Sequence, residues 1–339
     1  MMSVGLKSSD IVKNLSSLDF EVGLAEVSND PGLLPLRMKS YAHSITVCAQ
    51  SVYIISLLND VLEHAAKQSR AVPVNYVYRV GFIGCGRLGN LIIKCLLHYK
   101  IVKPHCILVS TRRPELLKEF SDTGVITCFN NGKVASSCPV MCICCLPSQL
   151  SVVAESLQGY LSPSTLVYSI VGGVTLQRHC QLLHTNSVLR PSFSWPNTGW
   201  TVDSINNYAT QVTTLLQKQE VISLTCPQLP VDESDNSMVV QVFLATLNLL
   251  TSLGIGRELA VRITTFKMFK EDSYTSQIQE AMATDKLLST ERLQLPLLPL
   301  NKNMYNLQKV VCSEDVYGSF MEQFKRMMSI ETKLSDHSM

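Results

Sequence analysis

The chain has 339 residues, enough for about two domains of ordinary size. With 46% hydrophobic and 17% charged residues it is not a disordered protein, and a formal net charge of +2 argues against nucleic acid or an anionic membrane surface as its main partner. The longest apolar stretches, Ile45 to Leu62 and Val239 to Leu253, are interrupted by Gln, Ser, Thr or Asn, so no membrane span is expected. The opening segment carries Asp10, Asp19, Glu21, Glu26 and Asp30 and no apolar run of the secretory kind, which predicts a cytoplasmic location.

Residues 1–78 read as an N-terminal helical extension. Ile45, Val52, Ile55, Leu58 and Leu62 mark one apolar helix there, expected to pack across a sheet. The most informative stretch follows. Val80 to Ile83 is a short apolar strand that runs into Gly84-Cys85-Gly86-Arg87-Leu88-Gly89 and then into a helix. Leu88, Leu91, Ile92, Cys95 and Leu96 give that helix a single apolar stripe. Strand, GxGxxG and helix in that order suit a dinucleotide pyrophosphate. Gly84 permits the tight turn, Gly86 leaves no Cβ between backbone and phosphate, Gly89 lets helix and strand approach, and the helix N-terminus offers unbonded N–H groups.

The second strand, Cys106 to Val109, ends in Ser110-Thr111-Arg112-Arg113. An acid at this point would bind the ribose hydroxyls of NAD. None stands there; two hydroxyls and two guanidiniums suit a 2′-phosphate instead, which predicts NADP(H) as the cofactor. Pro114 to Asp122 reads as the next helix, closed by Gly124.

The beat of strand and helix continues. Val125 to Phe129, Val140 to Cys145, Thr165 to Ile170 and Ser187 to Arg190 read as strands, and Gln149 to Leu161 and Leu176 to Leu183 as helices. Val221 to Thr225 reads as a last edge strand before Pro227 and Pro230 break the pattern. Residues 79–230 are therefore expected to form a Rossmann-type, doubly wound parallel sheet covered on both faces. Beyond Pro230 the period becomes 3.6. Met238, Val239, Val242, Phe243, Leu247, Leu250 and Leu253 make a strongly apolar helix ended by Gly254, followed by helices over Arg257 to Lys270, Ser276 to Leu288 and Met304 to Met328. A linker holds Pro296 and Pro299. Residues 231–330 are thus a smaller all-helical C-terminal domain, with 331–339 a tail. A helix apolar on most sides must be buried in something larger, a helical domain or a subunit interface.

Twelve cysteines lie mostly within apolar runs and read as reduced core residues. Cys138, Cys142, Cys144 and Cys145 form the densest group. On a strand from Val140 to Cys145 the CxxC pair faces opposite ways, which disfavours chelation or a redox pair. No metal site is expected.

Two of these segments, Ser110-Thr111-Arg112-Arg113-Pro114-Glu115 and Cys144-Cys145-Leu146-Pro147-Ser148-Gln149, resemble the pyrroline-5-carboxylate reductase family. The resemblance is strongest over Val80 to Pro191. It implies that Cys145, Leu146 and Pro147 contact the cofactor, where the family carries Lys-Pro and this chain lacks the lysine. Ser169 to Thr175 matches a Gly-Val-Thr turn of the family, and Arg190 matches an arginine that closes the next strand. By the same resemblance, hydride would pass from NADPH to the C=N carbon of a small cyclic imine, and the C-terminal helices would form a homodimer and the substrate pocket.

The chain also departs from that family. A Gly-Ser-Gly-Pro-Ala-like element and a Ser-Pro-Gly-Gly-Thr element are missing. In place of the first stands Asp232-Glu233-Ser234-Asp235-Asn236-Ser237-Met238, whose acids would repel a carboxylate substrate. Ser234, Asn236 and Ser237 are substrate candidates there, with helix capping the plainer role. Pro196-Asn197-Thr198 is similar to a family Pro-Asn-Thr but stands farther from Arg190. A β-hydroxyacid dehydrogenase would need Lys and Asn one turn apart; the first C-terminal helix has Asn248 and no Lys, and Lys267 reads as solvated. None of the seven histidines, His98 and His179 included, sits in a motif. The function expected is therefore an NADP-dependent reductase of a small imine or carbonyl compound, the alternative an NADP(H)-binding regulatory or scaffolding protein without catalysis. Catalytic residues are not identified.

Overall fold

A computed structural model describes residues 34–72, 77–193, 212–229, 237–285 and 304–329. Helix α1 (Leu34–Gln68) comes first. The expected alternation follows: β1 (Val80–Ile83), α2 (Arg87–His98), β2 (Ile107–Ser110), α3 (Lys118–Thr123), β3 (Ile126–Cys128), α4 (Asn131–Ser137), β4 (Val140–Ile143), α5 (Leu150–Leu157), β5 (Leu166–Ser169), α6 (Leu176–Leu183) and β6 (Val188–Leu189).

All neighbouring strands are parallel, in the order β3-β2-β1-β4-β5-β6. Val80 lies in register with Ile107 and Val140, and Ile83 with Ser110 and Ile143, so the carboxyl ends of β2, β1 and β4 open at one level. The chain winds outward from β1 to β3, then returns to the other side of β1. The switch point between β1 and β4 is where a doubly wound sheet leaves a crevice for a ligand.

Strands β1, β2, β4, β5 and β6 are buried on both faces, which is why they read as apolar runs, whereas the edge strand β3 is partly exposed, Ile126 included. Val80, Phe82, Val109, Cys142 and Tyr168 enter one core with α1, α2 and the C-terminal helices. Ile83, Leu108, Met141, Ile143 and Val167 enter a second core with residues of α4, α5 and α6. Helix α3 stops at Gly124, whose φ of 99° closes its last turn in the left-handed conformation.

The rest is helical: α7 (Val212–Leu215), α8 (Gln219–Thr225), α9 (Met238–Ser252), α10 (Arg257–Phe269), α11 (Ser273–Thr284), α12 (Tyr305–Val311) and α13 (Glu314–Met328). Three expectations are corrected here. Val221 to Thr225 is not an edge strand but the body of α8, with Val221, Ile222 and Thr225 buried at helical spacing against α1 and α13. The β-branched run favours a strand locally, and tertiary burial overrides that preference. The single helix expected over Met304 to Met328 is broken at Cys312 and Ser313, so that α12 and α13 pack separately. Strand β4 ends at Ile143, which frees Cys144 and Cys145 to turn into the loop that follows.

Helix α9 buries 13 of its 15 residues. Its cover comes from α1, α10, α12 and β6 of the same chain, so its apolar surface needs no second subunit to hide it. Helix α1 packs on α2 and against α8, α9, α10 and α13, and it also meets the sheet, where Tyr168 of β5 faces Ser51 and Cys48. By length and composition Met38–Gln68 is apolar enough to cross a membrane, yet 83% of its most apolar window is buried inside the protein. The linker prolines Pro296 and Pro299 lie outside the described residues.

Candidate nucleotide site

At the end of β1 the chain must turn sharply between two neighbouring strands. Gly84 does so at φ 85°, and its N–H donates to the Ser110 carbonyl at 2.8 Å. A Cβ there would sit 2.9 Å from the carbonyl oxygen of Cys144, so both conformation and space demand glycine. Gly89, on the first turn of α2, would place a Cβ 3.2 Å from the Gly84 oxygen and 3.3 Å from the Cys144 Cβ. It holds the helix close to the necks of β1 and β4. Gly86 differs: nothing lies within 4 Å of where its Cβ would stand. Packing does not require glycine at that position, where the backbone faces open space.

Gly86 is also the N-cap of α2, and no side chain caps the helix there. The first intrahelical bond runs from the Asn90 N–H to the Gly86 carbonyl at 2.9 Å, which leaves the preceding N–H groups aimed out of the helix end. Helix N-terminus, left-handed turn and uncovered backbone together form an anion cradle. Around it Arg87 is exposed, Leu88 is half-buried against the core, and the Cys85 thiol is pushed up to about 12 by burial.

The end of β2 supplies the second wall. Arg112 and Arg113 are exposed, and among the described residues neither forms an ion pair. Thr111 is half-buried, with its N–H bound to the Cys128 carbonyl at 3.0 Å. Ser110 has another task. Its hydroxyl donates to Asn131 Oδ1 at 2.7 Å and accepts from the Asn130 N–H at 3.1 Å, which fastens the start of α4 to β2. The serine expected to touch the nucleotide is 1% exposed and spends its hydrogen inside the protein.

The third wall is the loop after β4. The Cys144 N–H donates to the Ile83 carbonyl at 2.8 Å, beyond which Cys145 is half-buried and Leu146 and Pro147 are exposed beside the glycine turn. Cys142 packs in the first core and Cys145 against the second, so the CxxC pair does point to opposite sides of the sheet.

Past β6, Arg190 stands where the resemblance puts an arginine, and its surroundings, His43 and Gln50 of α1, were not foreseen. Arg190 is half-buried, its Nε makes no hydrogen bond, and burial lowers its pKa. His43 of α1 is held below its usual value by burial and then by the charges of Arg190 and Lys39, and its ring meets Phe193 edge-on at 5.2 Å. Gln50, fully buried on α1, clamps the same segment: its Nε2 donates to the carbonyls of Ser192 at 2.8 Å and Thr225 at 3.0 Å, and its Oε1 accepts from the Ser192 N–H at 2.9 Å. A glutamine inside an apolar helix was the available signal.

Other candidates fare differently. Ser237 occupies the N-cap position of α9, but its hydroxyl is buried and makes no capping bond. Ser234, Asn236 and Pro196-Asn197-Thr198 lie outside the described residues. Lys267 is not solvated: its side chain is 22% exposed and reaches Asp60 at 3.9 Å. His179 is fully buried, with Nδ1 2.9 Å from the Thr175 carbonyl, whereas His98 is exposed.

Residues 79–173 match the family model described as NADP oxidoreductase coenzyme F420-dependent. That oxidoreductase-type segment contains β1 to β5 and all three walls of the cradle. Over 227 residues the chain is 30% identical to the mouse NADP-dependent oxidoreductase domain-containing protein 1, covering 64% of this chain and 61% of the relative. It is also 30% identical over 122 residues to the pyrroline-5-carboxylate reductase of Escherichia coli K12, covering 35% of this chain and 44% of the enzyme. The chain therefore spans less than two thirds of either relative. A crystal structure of Plasmodium falciparum pyrroline carboxylate reductase with NADP bound aligns at a TM-score of 0.31 and 16% identity, over 75% of this chain and 98% of that one.

Proposed function

We propose that this protein is an NADP(H)-dependent oxidoreductase that reduces a small imine or carbonyl compound. The observation that carries the reading is the cradle at the β1–α2 turn: two glycines closed by backbone contacts, a third facing open space, and an uncapped helix end behind it. Those residues suit a pyrophosphate. Thr111, Arg112 and Arg113 would hold the 2′-phosphate, since two unpaired guanidiniums favour an added anion where an acid would repel it. When bound, NADPH would supply a hydride; binding, orientation and protons fall to the chain. The names of the matched family and of the mouse relative both contain NADP, which supports the same cofactor here.

Reducing a carbonyl requires an acid to protonate the developing alkoxide, whereas a protonated imine brings its own proton. An imine therefore asks less of the residues at the carboxyl ends of the strands, where His43 is shifted toward neutrality and the thiols of Cys85, Cys144 and Cys145 are raised by burial.

One observation favours the alternative, a nucleotide-binding protein without turnover. Leu146 is 64% exposed and offers an aliphatic side chain where the resemblance implies a lysine. Calorimetric titration with NADPH and NADH tests the shared premise: NADPH should bind more tightly, and Arg112→Ala with Arg113→Ala should cost NADPH about tenfold or more while leaving NADH nearly unchanged. Equal affinity of the parent protein for both dinucleotides would overturn the assignment. Loss of NADPH absorbance with a panel of cyclic imines and ketones then separates enzyme from binder. A homodimer through the C-terminal helices and a cytoplasmic location belong to the same proposal, checked by sedimentation and by cell fractionation. Because α9 is already covered, such a dimer would use the outer faces of α11 to α13.

A further inference from the structure

Away from the glycine turn, the C-terminal ends of three helices meet. Lys100 follows the end of α2, Lys267 and Lys270 close α10, and Arg326 stands in the last turn of α13. All four line one hollow of about 480 Å³, and Asp60 of α1 is the lone acid among its described lining residues. Each cation alone has a plain explanation, because a positive charge at a helix C-terminus opposes the helix dipole. Their convergence does not. Asp60 lies 3.9 Å from Lys267, leaving Lys100, Lys270 and Arg326 without a carboxylate partner among the described residues. All three are exposed at the rim of the hollow, where an anion seated between them would be attracted by every one.

The walls supply what an anion site also needs. Ser56 and Gln323, both largely buried, offer hydrogen-bonding groups, while Tyr99 and Phe266 give apolar flanks. The backbone is fixed: the Tyr99 hydroxyl donates to the Thr213 carbonyl, and Lys100 and Lys270 sit in left-handed conformation at φ 53° and 58°. We propose that this hollow is a second ligand site, for a small polyanion bearing phosphate or several carboxylates. It is separate from the nucleotide cradle, because the two lie at opposite ends of α2, whose 12 residues span about 18 Å.

Lysine acetylation of the full-length protein, read by mass spectrometry at constant ionic strength, tests it. Pyrophosphate, and in a parallel arm citrate, should slow acetylation of Lys100 and Lys270 severalfold and leave the exposed Lys118 unchanged; the more effective probe tells phosphate from carboxylate preference. Thermal unfolding gives a second readout. The midpoint rise produced by the protecting anion should shrink in Lys100→Asn with Arg326→Gln, asparagine being tolerated in the left-handed backbone at Lys100. It should persist in Arg112→Ala with Arg113→Ala, which reports on the other anion site. Absence of protection at Lys100 and Lys270 with both probes, or an undiminished rise in the Lys100→Asn, Arg326→Gln protein, would overturn the proposal.

Discussion

Gly84 and Gly86 belong to one motif and should fail in opposite ways. Alanine at Gly84 must adopt φ 85° and meet the Cys144 oxygen at 2.9 Å. The left-handed backbone alone costs about 1–2 kcal/mol, so Gly84→Ala should lower the thermal midpoint clearly. Alanine at Gly86 finds empty space. It should cost stability no more than about 1 kcal/mol, the difference between glycine and alanine at an N-cap, yet weaken NADPH strongly because its methyl enters the cradle. Equal loss of stability in both variants would show that Gly86 is structural. The thiols make a second residue-scale prediction. Burial pushes Cys85 and Cys142 up to about 12 from an ordinary value of 9.0. Above about pH 9 the unfolded chain has released protons that the folded chain still holds, so stability falls as pH rises, by about 1.4 kcal/mol per pH unit for each such thiol until its folded value is reached. Urea midpoints between pH 8 and 11 should decline, and iodoacetamide should label these two positions only on unfolding. The glycines were legible in the sequence because a turn and a close approach each demand one residue type. The internal bonds of Ser110 were not, since its partners Asn130 and Asn131 reach it only once β2 and β3 have paired.

Among elements, β1, β2, β4, β5 and β6 could be read from their doubly buried apolar runs, α2 from its single apolar stripe, and α9 from a run that is apolar on most sides and ends at Gly254. What misled was α8. Val221-Ile222-Ser223-Leu224-Thr225 carries strand-forming residues, and contact with α1, more than 150 residues upstream, and with α13, far downstream, makes it helical. The same distance hid Gln50. In sequence it merely interrupts an apolar run, whereas in the fold it satisfies Ser192 on both backbone groups and Thr225 on one. Gln50→Leu keeps the volume and leaves those groups buried without partners, a loss of about 1–3 kcal/mol in urea unfolding. The β6 end should loosen with it, so hydrogen exchange at the Ser192 amide should accelerate while the Gly84 amide, bonded to Ser110, stays slow. Equal acceleration at both amides would mean that the clamp acts on the whole sheet and not on one strand end.

At the scale of the molecule, the dinucleotide-type sheet and the helices before and after it share one core. Phe82, Val109, Cys142 and Tyr168 on one face of the sheet belong to the same cluster as Ile45, Val52, Tyr53 and Leu58 of α1, Val221 and Ile222 of α8, and Phe243 and Leu247 of α9. Local periodicity shows where each helix begins but not that they close over a common surface. The consequence is that residues 77–193, although they contain all six strands, lack the cover for half of their sheet. Cut out alone, that segment would expose α2 where α1 now lies, and the hydrophobic effect that stabilises its first core would be largely absent. We expect the fragment to bind an apolar dye such as ANS, to lose near-ultraviolet circular dichroism, and to unfold without a cooperative transition, while the full chain unfolds in one step. The isolated α1 peptide should behave as its composition dictates once its burial is removed: an apolar helix of 35 residues partitions into detergent or lipid. A sharp, reversible transition in the 77–193 fragment would instead make the dinucleotide-type segment a self-sufficient domain, and α1 an attachment to it and not part of its core.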